Sequence, residues 1–171
     1  NQMIEVLLCE ALRNEVEKAL KNVVLKNPKG ELVHPAVING FLPPNNRNES
    51  DYPCVVIAFE SSSADQETTE VGVRISICTY DECLDSEGKE LYPIKAHEDG
   101  LNAASRIRLA LKTLPNGVLA RRYVLQLPIE VQNTGIDDYP YWQVNMKTRW
   151  LMRNPHPITD FTGDFDGVKK T

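Results

Sequence analysis

Three segments of the chain alternate apolar and polar residues with a period of two, the pattern of β-strands that bury one face. They are residues 71–78, 123–131 and 141–150. A fourth segment, 54–59, is continuously apolar, which indicates a strand covered on both faces or central in its sheet. A sheet of this kind must cover its apolar face, so the segments between the strands decide the fold class.

Two amphipathic helices are predicted to supply that cover. Residues 3–26 repeat apolar side chains at spacings of three and four, and Asn27, Pro28 and Gly30 follow. The second helix runs from after Pro93 to about Leu114. Its apolar stripe is expected to consist of Leu101, Ala104, Ile107, Leu111 and Leu114.

The order of these elements predicts an α+β domain, in which a largely antiparallel, mixed β-sheet carries the two main helices on one face. A short strand is expected within 35–42, a polar loop at 43–50, and a polar connector at 61–68 that joins two strands as a long hairpin. Pro128 indicates an edge position or a bulge in the strand 123–131. We expect one domain over residues 1–152 and an extended C-terminal tail over 153–171.

Composition excludes several classes of partner. A formal net charge of −5 over 171 residues argues against nonspecific binding to nucleic acid or to an anionic membrane. No apolar run approaches the roughly 20 residues that cross a bilayer. The cysteines form no CxxC pair, and Cys9, Cys54 and Cys78 lie in apolar patterns. They are therefore expected to be buried, reduced thiols without a metal, in a reducing compartment.

The sequence contains none of the common catalytic or cofactor motifs, such as GxSxG, GxxxxGK[ST], GxGxxG or HExxH. His97, Glu98 and Asp99, near the start of the second helix, are the residues nearest to an acid–base or metal cluster. We interpret them instead as an exposed histidine beside acidic residues that favour a helix N-terminus. The chain is expected to be no enzyme and to hold no metal or cofactor.

Charge is distributed unevenly along the chain. The segment from Glu60 to Glu90 contains nine acidic and two basic residues. The segment from Lys95 to Arg122 contains six basic and two acidic residues. A plain solvated surface is one explanation. The other is a head-to-tail contact between copies of the chain, of the kind that closes into rings. The residues expected at that contact are Glu67, Glu70, Asp85 and Glu87 on the acidic side and Arg106, Arg108, Arg121 and Arg122 on the basic side.

The whole layout resembles a known family. Tyr52-Pro53 opens the apolar strand, Tyr80 ends the strand that begins near Val73, and a helix with Ala103-Ala104-Ser105-Arg106-Ile107-Arg108 follows. Tyr139-Pro140-Tyr141-Trp142 then leads to a strand with Trp150. Over residues 3–152 this arrangement resembles the tail-terminator and tail-completion proteins of tailed bacteriophages and prophage-derived tail-like particles.

The resemblance implies a structural virion protein that forms a ring, usually a hexamer, on the finished tail tube. Such a ring ends tube polymerisation and joins the tail to the neck or head connector. The implied partners are further copies of the chain, the tail-tube protein, a neck or connector protein and the sheath. No membrane or sequence-specific nucleic-acid binding is implied, although DNA would pass through the ring. The implied location is the particle, assembled in the cytoplasm of a bacterial host.

Three alternatives remain open from the sequence. The first is a head-completion or neck adaptor protein of the same particle. The second is a small-ligand-binding or enzymatic α+β domain, which requires a pocket with convergent polar groups and a perturbed titratable residue. The third is a regulatory domain that dimerises through an exposed sheet face.

Overall fold

The computed structural model describes residues 3–40, 51–89, 94–133 and 139–154, with the side chains of 94–96 left out. The elements in chain order are α1 Ile4–Ala19, β1 Leu25–Lys26, β2 Leu32–Val33, β3 Ala36–Asn39, β4 Cys54–Ala64, β5 Thr68–Tyr80, α2 Ile94–Lys112, a 3-10 turn Pro115–Gly117, β6 Val118–Leu119, β7 Tyr123–Asn133 and β8 Tyr141–Arg153. The predicted α+β class, with its mixed and largely antiparallel sheet, is confirmed.

In the described part of the chain, six strands form the main sheet in the order β3-β4-β5-β8-β7-β6. β3 runs parallel to β4, with Ala36 beside Cys54, and every other pairing is antiparallel. The long central pairing joins β5 to β8 from Thr68–Arg153 at one end to Tyr80–Tyr141 at the other. The continuous apolar run at the start of β4 is explained by its position between β3 and β5 and by burial on both faces.

Both helices pack on the same face of the sheet. α1 contacts β3, β4 and α2, whereas α2 contacts β5, β7 and β8. The alternating residues predicted for β5 and β8 supply the core beneath them, and these positions are fully or almost fully buried: Val71, Val73, Ile75, Ile77, Val144, Met146 and Trp150. The indole N–H of Trp150 donates to the Thr148 hydroxyl at 2.9 Å, and that hydroxyl donates to the Val73 carbonyl at 2.9 Å.

The first helix is shorter than predicted. It ends at Ala19, and the residues expected to continue it to 26 turn away and form β1, which pairs with β2. The side chain of Asn27 accepts the backbone N–H groups of Lys29 and Glu31 at 3.0 and 2.8 Å. This turn chemistry, together with the β-branched pair Val23-Val24, outweighs the helical spacing of the apolar residues.

The polar connector predicted for 61–68 is mostly strand. β4 continues to Ala64 through a bulge at Phe59/Ser61, and β5 already begins at Thr68. The Asp65 carboxylate accepts the N–H groups of Glu67 and Thr68 at 2.8 and 2.7 Å, so one side chain closes the hairpin. The predicted hairpin is confirmed, but its turn is only 65–67 because Ser61–Ala64 pair with β5 despite their polarity.

Two predicted core leucines are exposed instead. Leu101 is 44% exposed because α2 faces the sheet through Gly100, where an added Cβ would lie 3.0 Å from Val144 Cγ2. Leu127 is 62% exposed because the register of β7 against β8 shifts between Gln126 and Glu130. That shift surrounds Pro128 and confirms the bulge predicted there.

Several predicted segments fall outside the described residues. They are the loop 43–50, most of the turn 133–140, and residues 155–171 of the predicted tail. The first residue assigned to that tail, Arg153, belongs to β8, and Asn154 follows it directly. The predicted division into a domain and a tail stays a prediction.

Candidate assembly surfaces

The antiparallel strands give the sheet two distinct ends, each made of different turns. The turn end consists of the β4–β5 turn 65–67, the β6–β7 turn 120–122 and the last residues of β8. The loop end consists of loop 81–89, which follows β5, together with the beginning of β8. Because β5 contains 13 residues that rise about 3.3 Å each, the two ends lie roughly 40 Å apart.

Arg121 and Arg122 lie at the turn end, in a tight turn. The Arg122 N–H donates to the Leu119 carbonyl at 3.1 Å, and Ala120 and Arg121 have φ values of 52° and 61°. Two successive positive φ angles define a type I′ turn, which usually contains Asn-Gly. Ala120 and Arg121 therefore adopt left-handed backbone conformations without being glycine or asparagine, and this turn sets the position of the two arginines.

Tyr123, which follows this turn, anchors it to the core. Its ring is 2% exposed, and its hydroxyl donates to the Ile4 carbonyl of α1 at 3.3 Å. Burial raises the pKa of the Tyr123 hydroxyl. The Arg122 guanidinium carbon lies 5.9 Å from the centre of the Tyr123 ring, within the range of a cation–π contact. The turn is thus attached to α1 as well as to the sheet.

The predicted acidic residues divide between the two ends. Glu67 lies in the exposed β4–β5 turn, and Glu70 follows it on β5, where its carboxylate is 3.7 Å from the Arg149 guanidinium. Asp85 and Glu87 lie in loop 81–89 at the loop end. The Asp85 carboxylate accepts the N–H groups of Glu87 and Lys89, both at 2.8 Å, so it shapes the loop as well as adding charge.

Arg106 and Arg108 are exposed on α2, on either side of the buried Ile107 that faces the sheet. Because successive residues of an α-helix are about 100° apart, they project from the two flanks of α2. The predicted set is therefore not gathered at one place: Arg121 and Arg122 share the turn end with Glu67 and Glu70, while Asp85 and Glu87 lie at the other end. Whether these residues form a contact between copies stays a prediction.

A groove at the turn end, called the arginine groove below, extends the basic surface beyond Arg121 and Arg122. It encloses about 590 Å³ and is lined by Thr68, Val118, Arg121, Arg122, Val124, Leu151, Met152 and Arg153. Sequence reasoning missed Arg153, which stands 31 residues after Arg122 but reaches the same groove because β7 and β8 are paired. The only signal available was the predicted strand pairing itself.

The face of the sheet opposite the helices is polar toward the turn end, a feature that was not predicted from the sequence. Glu60 lies 3.6 Å from Arg74, and Lys147 pairs in register with Arg74 on one side and with Glu130 on the other. Toward the loop end the same face is apolar and buried. The residues there are Tyr52, Cys54, Val56, Ala58, Cys78 and Tyr80.

A second groove, mainly apolar, lies between α1 and the β3–β4 edge. It encloses about 440 Å³ and is lined by Met3, Glu5, Val6, Cys9, Asn39, Gly40, Ile57 and Phe59. Met3 and Val6 are 73% and 50% exposed. Beside this groove β3 has ended, and the backbone of β4 beyond residue 58 has no strand on its outer side among the described residues.

The structure places His97, at the start of α2, beside an aromatic side chain. His97 stacks edge-on against Trp142 at 5.2 Å between ring centres, and its Nε2 lies 3.3 Å from the Asn133 amide. Within the described part of the chain, no cluster of three or more His, Cys, Asp or Glu side chains is placed to hold a metal.

The four cysteines are free and buried, as predicted for Cys9, Cys54 and Cys78. Burial raises the thiol pKa of Cys9, with a further contribution from Glu5, and burial together with Asp81 raises that of Cys83. A raised pKa disfavours the thiolate, which is the nucleophilic form. Among the described residues, no helix has the length and apolar character needed to span a membrane.

Comparison with known proteins gives a likeness of structure and none of sequence. No protein-family model matches the chain, and no curated protein matches it. Among solved structures 27 chains match. One is a chain from the virion of a native gene transfer agent particle, with 13% sequence identity and a TM-score of 0.41, covering 85% of this chain and 96% of that one.

Proposed function

We propose that this chain is a structural component of a tailed-phage or phage-like particle, in which it forms a ring that caps the tail tube. The ring would end tube polymerisation and present a surface to the neck or head connector. The proposal starts from the resemblance of the sequence layout over residues 3–152. The fold agrees with that layout in its order of helix, strands, helix and strands.

The observation that carries the proposal is the placement of unlike charged surfaces at opposite ends of the sheet. Acidic loop 81–89 lies at one end and the arginine groove at the other. A protein with two different, complementary surfaces associates head to tail, and such contacts close into a ring when the rotation between copies permits it. We expect a ring of about six copies, by analogy with the family that the sequence resembles.

The edge of β4 beyond residue 58, which no described strand covers, and the adjacent apolar groove are the surfaces we propose for the tail tube, the sheath or the neck. An unpaired strand edge offers backbone N–H and C=O groups in a row, and extended segments of a partner can add to it. The groove beside this edge would accept the apolar side chains of that segment. The hairpin 60–70 belongs to the same surface through the outer edge of β4.

In this proposal the protein catalyses no reaction and needs no cofactor. Its action is geometric: one surface of the ring copies what a tube subunit offers, and the opposite surface does not accept another tube ring. A neck adaptor of the same particle would have the same architecture. The two roles differ in whether the ring binds the tail tube or a protein on the head side.

One observation favours a different class of function, the binding of a small apolar ligand. The groove between α1 and β4 has a volume of about 440 Å³, within the usual size range of ligand sites. Among the described lining residues Glu5 is the one that carries a charge, and its carboxylate accepts the Ser62 hydroxyl at 3.0 Å. This described part of the lining offers few polar groups to orient a substrate, which favours the assembly function over catalysis.

The test of the proposed function is the mass of the protein in solution, followed by negative-stain imaging alone and with tail tubes. The tubes are assembled from the tail-tube protein encoded in the same genome. Rings with a central hole that bind one end of the tubes would support the proposal. Rings that bind only a head-side protein would assign the adaptor role, and a monomer that binds neither would contradict both.

A further inference from the structure

The groove at the turn end combines an apolar floor with a basic rim. Val118, Val124 and Leu151 contribute apolar side chains, and Val124 is 39% exposed although it lies in a strand. Arg121, Arg122 and Arg153 are exposed and surround them. The residues described in this lining include no acidic one. A surface of this composition fits a segment that carries an apolar side chain between carboxylates.

The three arginines are not neutralised by the rest of the described chain. No ion pair joins Arg121, Arg122 or Arg153 to an acidic residue within residues 3–40, 51–89, 94–133 and 139–154. Arg149 on β8 differs from these three arginines, because its guanidinium lies 3.7 Å from the Glu70 carboxylate. As far as the described residues go, the charge of the groove is therefore positive, whereas the Arg149 guanidinium on the neighbouring strand lies beside a carboxylate.

Loop 81–89 has the complementary composition. Leu84 is 42% exposed and stands between acidic residues on both sides. The acidic residues of the loop are Asp81, Glu82, Asp85 and Glu87. Its shape is held by hydrogen bonds, since the Asp81 carboxylate accepts the Cys83 N–H at 2.7 Å and the Asp85 carboxylate accepts two further N–H groups. A loop with this much internal bonding loses little conformational entropy on binding.

We infer that the arginine groove of one copy is the binding site for loop 81–89 of a second copy, with Leu84 on the apolar floor and the loop carboxylates against Arg121, Arg122 and Arg153. The groove and the loop lie about 40 Å apart in one chain, so the contact can form only between copies. The inference rests on the proposed function, whose ring it supplies with a specific contact. Glu67 takes no part in this contact, because it lies at the turn end of the sheet, as the groove itself does.

The same groove could attract a nucleic acid through its arginines, and the structure favours the protein segment. Binding to a phosphate backbone gains from extended positive surface, but the groove has an apolar floor and the chain has a net charge of −5. An acidic loop with a central leucine uses both features of the groove. DNA binding is therefore treated as an outcome of the test.

The test makes the groove acidic in one variant and the loop basic in another. Self-association is measured by sedimentation velocity at low salt. The groove variant is Arg121→Glu/Arg122→Glu, the loop variant is Ser86→Arg/Glu87→Arg, and a third protein carries both pairs. Lys21→Glu/Lys26→Glu, at exposed positions that belong neither to the groove lining nor to loop 81–89, is the control for charge alone. Circular dichroism melting confirms that each variant is folded.

Each single variant should associate roughly tenfold or more weakly than the wild type, and the combined variant should recover most of the loss. The control should associate like the wild type. A short DNA duplex should bind the wild-type chain no more tightly than it binds the groove variant. Equal association of all variants, no recovery in the combined variant, no association of the wild type at any concentration, or binding of the DNA duplex that the groove variant loses would overturn the inference.

The outcomes separate this inference from the proposed function. If the chain caps tail tubes and both charge variants still assemble as rings, the loop–groove contact is wrong and the proposed function stands. If the charge exchange behaves as expected but no ring binds a tail tube, the contact is right and the proposed function is wrong.

Discussion

Asn154 donates its side-chain amide to the backbone carbonyl of Asp65 at 2.8 Å, and so attaches the end of β8 to the β4–β5 turn. Its backbone N–H also donates to the Glu67 carbonyl at 2.8 Å, and its side-chain oxygen accepts the Thr69 hydroxyl. The residue that leaves the last strand thus fixes the turn next to the arginine groove. This connection ties Arg153, one residue earlier, to a defined position on the groove rim.

Replacing Asn154 with alanine should loosen the turn end. The Asn154→Ala variant loses the side-chain bonds to Asp65 and Thr69, and we expect the free energy of unfolding to fall by about 1–2 kcal/mol. Urea denaturation measures the loss, and hydrogen exchange should increase for the amides of Glu67 and Thr68. Asn22→Ala, at an exposed position after α1, is the control and should change neither quantity. Equal stability of the two variants would contradict the role assigned to Asn154.

The buried bond between Trp150 and Thr148 should be a large contributor to stability. Thr148→Val keeps the shape of the side chain but leaves the buried Trp150 N–H without its acceptor, which should lower the free energy of unfolding by about 1–3 kcal/mol. Thr148→Ser keeps the hydroxyl and should lose less. Chemical denaturation of the three proteins tests this order, and a valine variant as stable as the wild type would refute it.

The β6–β7 turn should gain stability from glycine. Ala120 has a φ of 52°, where a side chain costs energy and glycine does not, so Ala120→Gly should raise the free energy of unfolding by about 0.5–1 kcal/mol. The same substitution at Ala110, within α2, should lower it by about 0.5–1 kcal/mol. Thermal and urea denaturation compare the two. Destabilisation by both substitutions would show that Ala120 does not have the described backbone conformation.

The stability of the protein should fall at alkaline pH through Tyr80. Its hydroxyl donates to the Glu82 carboxylate, and this bond, with burial and the negative charge of Glu82, raises the pKa of Tyr80 to about 12. Because the folded pKa lies above the ordinary value of about 10, the contribution is complete below pH 10 and is lost as the pH rises toward 12.

Urea denaturation between pH 9 and 12 tests this dependence. Tyr80→Phe should show a shallower decline than the wild type over the interval in which the Tyr80 phenol would ionise. Glu82→Gln keeps a hydrogen-bond acceptor without the charge and should also be shallower. If the wild type and Tyr80→Phe declined in parallel, the bond to Glu82 would not be coupled to folding.

The sequence predicted the parts of the fold that depend on burial. Alternation in β5 and β8 identified the residues under the helices, because a period of two fixes which side chains share a face. It failed where a local hydrogen bond decides the conformation: Asn27 redirects the chain after α1, and Asp65 lets polar residues remain in a strand. Such bonds depend on backbone geometry that the hydrophobic pattern does not encode.

The candidate site was predictable only in its charges. Arg121 and Arg122 were identified from their local cluster, but Arg153 joins them through strand pairing between residues far apart in sequence. Glu70 is predicted at a contact between copies, and its carboxylate also lies 3.7 Å from Arg149 of the same chain, which the sequence did not predict. A count of charges along the chain does not separate those balanced within the sheet from those at its ends.

The growth of tail tubes in the presence of this chain tests whether a ring of the chain caps the tube and ends its polymerisation. Tube protein from the same genome is polymerised with increasing amounts of the chain, and tube lengths are measured by electron microscopy. If the chain caps the tube, the tubes should be shorter and carry a ring at one end, and further tube protein should not extend that end. Tubes of unchanged length that carry no ring, at a molar excess of the chain, would contradict it.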